Sequence, residues 1–216
     1  RRTKMRRLPV YLLLDCSGSM SGEPIEAVKS GMQMLLSGLR QDPQALESAY
    51  LSVITFDSSA KQLVPLTDLA SFQMPDIVAS GTTALGEALS LLCQCAKTEI
   101  VKSTPEVKGD WRPLVFIMTD GEPTDDFKKG LTEFQSMKWG ITVSCAAGQG
   151  ANIDTLKAIS PESVVMLDTA DKQSLAAFFK WVSSSISTSS KSVNDTKQEI
   201  SGIDQLPPPP PEINMV

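Results

Sequence analysis

Histidine is absent from the 216 residues, and with it go the usual base of serine and cysteine nucleophile systems and the commonest ligand of zinc. No Gly-x-Ser-x-Gly elbow and no Gly-x-x-x-x-Gly-Lys phosphate loop occurs either, so the common nucleophile and phosphate-binding devices are missing. No run approaches the roughly eighteen apolar residues of a membrane-spanning helix. Asp15 interrupts the apolar stretch behind the basic start before any signal-peptide cleavage pattern forms, so a cytoplasmic location is expected. The four cysteines, at 16, 93, 95 and 145, lack the spacing of a disulfide framework, and Cys93-Gln94-Cys95 falls one residue short of a C-x-x-C pair. Free, buried thiols in a reducing compartment are expected.

Charge is lopsided. Twenty lysines and arginines face 25 acids, and five of the twenty (Arg1, Arg2, Lys4, Arg6, Arg7) crowd the first seven residues, leaving 15 against 25 beyond them. A body this acidic repels phosphate backbones, which argues against nucleic acid as the main partner. Residues 1–7 read as a basic, solvated arm.

Apolar runs of strand length recur at Val10–Leu14, Leu51–Phe56, Leu114–Met118, Ile141–Ala147 and Val164–Leu167. Helical stripes alternate with them: Ile25, Val28, Met32, Leu35, Leu36 and Leu39; Leu85, Leu89, Leu92, Cys93, Ala96 and Ile100; Phe127, Leu131 and Phe134; Leu175, Phe178, Phe179 and Val182. Strands alternating with helices predict an α/β fold, a central mostly parallel sheet with helices on both faces. Leu63 to Leu66, containing Pro65, reads as the return arm of a hairpin with Leu51–Phe56 and gives one antiparallel edge strand. The serine-rich run from Ser183 is read as the end of the last helix. Residues 190–216, with five consecutive prolines at 207–211, are expected to form a flexible, extended tail after a domain spanning 8–189.

Three segments carry the chemistry. Asp15-Cys16-Ser17-Gly18-Ser19 ends the first strand and sets one carboxylate and two hydroxyls at alternate positions of a tight loop, a set suited to a small hard cation. Ser80-Gly81-Thr82-Thr83 places hydroxyls at the entry to a helix. Thr119-Asp120-Gly121 ends a central strand on an acid. In an open parallel sheet such loops converge at the carboxyl ends of the strands. Two carboxylates with neutral hydroxyls suit Mg2+ better than an all-protein Ca2+ cage, with Mn2+ and Ca2+ as alternatives. Thr124 and Asp125 are read as capping the helix that carries Phe127.

These motifs, in this order, resemble the metal-ion-dependent adhesion site of von Willebrand factor A domains, and the resemblance covers residues 8 to about 187. It implies a Rossmann-like fold and a metal set of Asp15, Ser17, Ser19, Thr83 and Asp120, with Thr82 as the alternative to Thr83. It also implies an open coordination position that a partner's Asp or Glu fills, so a binding module rather than an enzyme. A strand ending in aspartate is similar to haloacid-dehalogenase phosphatases as well, but those need a second acid two residues on, where Ser17 stands here. The segments Met5–Asp15, Leu51–Asp57, Gly109–Leu114 and Phe178–Val182 resemble the bacterial TerY group of tellurium-resistance proteins. That likeness implies an adaptor in a stress-response system, alongside phosphatase and kinase-like proteins. A structural ion site in a scaffold that binds partners elsewhere is the competing reading.

Overall fold

The computed structural model describes residues 5–216, so Arg1, Arg2 and Lys4 of the basic arm lie outside the described residues. Seven strands form one sheet in the order β3-β2-β1-β4-β5-β6-β7: β1 (Leu8–Asp15), β2 (Ala49–Phe56), β3 (Ala60–Asp68), β4 (Leu114–Thr119), β5 (Thr142–Ala147), β6 (Val164–Leu167) and β7 (Asn214–Met215). The pairings among β2, β1, β4, β5 and β6 are parallel, and β3 runs antiparallel on one edge. Its register with β2 slips around Pro65, where a residue without an N–H is tolerated.

Among the described residues six α-helices cover the sheet: α1 (Glu23–Arg40), α2 (Pro43–Ser48), α3 (Leu85–Glu99), α4 (Phe127–Gln135), α5 (Ile153–Ile159) and α6 (Lys172–Thr196). Alternation along β1 divides the core. Leu8, Val10, Leu12 and Leu14 pack under α1, α2 and α6, while Tyr11 and Leu13 pack under α3, α4 and α5. Each fully buried aliphatic side chain contributes about 1.5–3 kcal/mol, so these two layers, not the surface ion pairs, hold the fold. The helices α2 and α5 are not visible as stripes in the sequence, being six and seven residues long.

Two expectations are corrected here. The serine run does not stop α6, which continues to Thr196 because Val182, Ser185, Ile186, Ser189, Ser190 and Val193 are buried at three- and four-residue spacing. Nor is the segment after it free. Ile200, Leu206 and Ile213 are buried, the Trp181 indole donates to the Pro207 carbonyl at 2.8 Å, and β7 adds antiparallel to β6. Apolar anchors spaced along a polar, proline-rich stretch hold it as a strap. The basic arm is likewise tied down where it is described: Arg6 stacks on Trp111 at 3.5 Å, and Arg7 pairs with Asp110 at 2.6 Å.

Candidate metal centre

Strand order reverses between β1 and β4, and side-by-side strands whose connections leave in opposite directions open a crevice at their carboxyl ends. Leu14 pairs with Met118 across that seam, so the chain ends of β1 and β4 lie level. Asp15 there is fully buried. Its Oδ1 accepts the Ser17 N–H at 2.8 Å, which closes the turn, and its Oδ2 accepts the Thr119 hydroxyl at 2.7 Å and the Asp120 N–H at 3.4 Å. The Ser17 and Ser19 hydroxyls are 3.0 Å apart, and Ser19 donates to Asp120 Oδ1 at 2.9 Å. Asp15, Ser17, Ser19 and Asp120 therefore share one hydrogen-bonded cluster.

The segment carrying the threonines is laid across this cluster by backbone bonds. Gly18 N–H donates to Gly81 O at 2.9 Å and Ser80 N–H to Cys16 O at 2.9 Å. Gly81 has φ 74°, and a side chain on it would collide with Ser58, so glycine is required at the crossing. Thr82 is exposed and engages Ser58 Oγ through its N–H and hydroxyl, at 3.1 and 3.3 Å. Thr83 is buried, and its Oγ1 lies 3.8 Å from where a Cβ on Gly121 would stand. Of the two threonines, Thr83 is the one that faces the Asp120–Gly121 turn.

Thr124 and Asp125 cap a helix, but not the one expected. Asp125 accepts Gly86 N–H at 3.0 Å and Glu87 N–H at 2.7 Å, so it caps α3 from outside, while Thr124 exchanges bonds with the backbone of Thr83 at 2.8 and 3.0 Å. α4 is capped by Asp126, which accepts from Lys129 N–H. The reason is the tight approach of α3 and α4 at Gly86 and Gly130, where any side chain would clash with the opposite backbone. That contact draws the loop after Asp120 onto the start of α3, where a carboxylate meets the positive helix end. Thr119, which donates to Asp15 and so positions it, has one signal in the sequence, a hydroxyl beside Asp120 at a strand end.

Two acids face each other in this crevice. Burial raises the Asp120 carboxyl above the ordinary carboxylate range, against the Ser19 hydrogen bond, and the neighbouring Asp15 adds to the rise. Among the described residues the ion pairs are Arg6 with Glu199, Arg7 with Asp110 and Lys29 with Glu26, so neither acid has a lysine or arginine counterpart. Nor does any group of three or more Cys, Asp or Glu side chains form a metal cluster among these residues. The donor set is two carboxylates and three hydroxyls, which fits a hard cation that keeps part of its water shell. The Cys16 thiol is turned away, toward Phe56 O at 3.5 Å, and burial pushes its pKa up to about 11.

Comparison with known proteins bears on the family and the fold. Residues 10–181 match the family described as von Willebrand factor type A domain. An uncharacterised protein of Synechocystis is 36% identical over 124 residues, 54% of this chain and 26% of its own length. A von Willebrand factor A domain-containing protein of Dictyostelium discoideum is 28% identical over 142 residues, 66% of this chain and 15% of its own length. This chain thus spans about a quarter or less of these relatives. Among solved structures, a von Willebrand factor type A protein of Catenulispora acidiphila superposes with TM-score 0.65 at 18% identity, covering 85% of this chain and 43% of the other. Proximal thread matrix protein 1 of mussel byssus, with a zinc-occupied MIDAS motif, gives TM-score 0.58 at 21% identity, covering 82% and 45%.

Proposed function

Because the chain belongs to the von Willebrand factor type A domain family, we propose that it is a divalent-metal-dependent protein-interaction module whose partner offers an Asp or Glu side chain. The observation that carries this reading is the Ser17–Ser19–Asp120 chain of hydroxyl and carboxylate contacts closed over buried Asp15. Asp15, Ser17, Ser19, Thr83 and Asp120 would hold the ion, Mg2+ by donor type, and the zinc-occupied motif of the mussel protein supports a divalent cation at such a site. Two carboxylates neutralise a divalent ion, so an incoming carboxylate would be held by coordination at an open position of the ion rather than by net positive charge.

This chain's own residues do the positioning. Thr119 and the Ser17 N–H fix both oxygens of Asp15, and Asp125 braces the start of α3 behind Thr83. No histidine, and no acid at position 17, equips the crevice for nucleophilic phosphate chemistry. The likeness to the TerY group supports an adaptor role in a bacterial tellurite or stress-response system, in the cytoplasm, beside phosphatase or kinase-like proteins. No described helix is long and apolar enough to cross a membrane.

The test uses Mn2+ as the probe. Water-proton relaxation of the Mn2+-loaded chain reports coordinated water, and adding glutarate is expected to displace it; Asp120→Ala is expected to abolish Mn2+ binding. Retained water with glutarate present would leave only a structural ion site.

A further inference from the structure

At the opposite end of the sheet from the metal centre, a cavity of about 120 Å³ is lined by Met5, Arg6, Lys108, Trp111, Asn194 and Lys197. Every charged residue in that lining is a cation, on a chain whose net charge is −5. Lys197 follows the end of α6, where a cation already offsets the negative helix end, so the lysine by itself argues nothing. The uncharged lining residues do. Trp111 is 3% exposed, and among the described residues neither its indole N–H nor the buried Asn194 amide nitrogen has an acceptor. Buried N–H donors left unpaired cost about 1–3 kcal/mol each, and such groups in native proteins have a reason.

Arg6 adds pre-organisation. Its guanidinium carbon lies over the Trp111 ring, 3.5 Å from the centroid, and its Nε donates to Gly109 O at 2.7 Å. Glu199 approaches it at 3.7 Å, and the nearby Asp110 carboxylate is taken by Arg7. Glu199 is itself engaged, its other oxygen accepting the Arg112 N–H at 2.9 Å, and among the described residues Lys108 and Lys197 have no ion-pair partner, which leaves two positive charges beside the two unpaired donors. A singly charged carboxylate would under-use that set, whereas a phosphate-like dianion matches it in charge and in number of acceptor oxygens.

We infer that this cavity is a binding site for a tetrahedral oxyanion of the phosphate class, either free or carried as a phosphoryl group. The site is independent of the cation-binding pole and stands whether or not the metal reading does. It makes the molecule two-ended, with acids and hydroxyls at the carboxyl ends of the strands and cations with N–H donors at the amino ends.

The experiment is a phosphate titration of the full chain in EDTA at constant ionic strength, followed through the indole N–H resonances by NMR. The Trp111 resonance, assigned by its loss in Trp111→Phe, is expected to move downfield and saturate. Chloride and acetate are expected to leave it in place. Lys108→Gln and Lys197→Gln, both at exposed positions that spare the core, are each expected to weaken phosphate by about tenfold, the worth of one charge-assisted contact. Phosphoserine binding at least as tightly as phosphate would indicate a phosphoryl group on a larger ligand; phosphate alone would indicate the free ion. An indole resonance unmoved by phosphate, as expected if Asn194 simply offers its own oxygen to Trp111, or a shift that survives both lysine substitutions unchanged, overturns the site.

Discussion

Ser19 donates its hydroxyl proton to Asp120 Oδ1 at 2.9 Å, a contact between residues 101 positions apart that closes the first loop onto the end of the fourth strand. It is a placeholder in electrostatic terms: one hydroxyl dipole offsets part of the burial that raises Asp120, while Asp15 acts in the opposite sense. A divalent ion would stabilise both acids together. Asp120→Asn removes the facing charge, so the metal-free variant is expected to melt at or above the wild-type temperature. Mg2+ should stabilise wild type by about 2.7 kcal/mol at a hundredfold excess over its dissociation constant, and the variant not at all. Thermal unfolding with and without EDTA checks both halves.

Asp125 holds the second loop by capping α3 through two backbone N–H groups. Asp125→Ala is expected to cost about 1–2 kcal/mol in urea unfolding, the range for losing a good cap. It should also weaken Mg2+ binding in calorimetry, because Thr83 is tied to the same loop through Thr124. Unchanged Mg2+ affinity in a destabilised variant would separate the cap from the metal centre.

The strap makes a different prediction. Trp181→Phe keeps an aromatic ring on α6 but removes the N–H that reaches Pro207. A loss of about 1 kcal/mol is expected, one hydrogen bond's worth. The sharper readout is local: amide exchange at Ile213 and Val216, whose N–H groups bond Pro210 O and Val164 O, should accelerate while that of the central strands does not.

The sheet, and the meeting of the three loops at its edge, are legible because their signals are local. Val10–Leu14 is an unbroken apolar run ending on Asp15, and Leu85, Leu89 and Leu92 repeat at helical spacing. What escaped depends on distant partners. Asp125 looks like a cap for α4 until α3 and α4 meet at Gly86 and Gly130 and turn it toward α3. The serines of α6 look like a helix stop, since nothing nearby in sequence reveals that Ser185, Ser189 and Ser190 are buried with Val182 and Val193. The proline run excludes ladder and helix bonding by itself, yet Leu206 and Ile213 on either side are buried and Trp181 binds it in between. The loops of the candidate site follow a motif order, whereas the strap has no motif.

Alkaline pH should loosen the protein in a defined window. Burial pushes Cys16, Cys93 and Cys95 up to about 11 from an ordinary value of 9.0, with Cys145 raised further and Tyr11 raised by burial and by Glu99. A thiol whose folded pKa lies above its unfolded one keeps its proton longer in the native state. Its stabilising contribution is therefore complete below about pH 9 and is lost as pH climbs through about 11. Melting temperature is expected to hold level to pH 9 and then fall. Cys93→Ala with Cys95→Ala should lower the starting stability through lost packing but flatten the decline, because two of the titrating groups are gone. An equally steep decline in that double variant would assign the alkaline loss to Tyr11, Cys16 and Cys145.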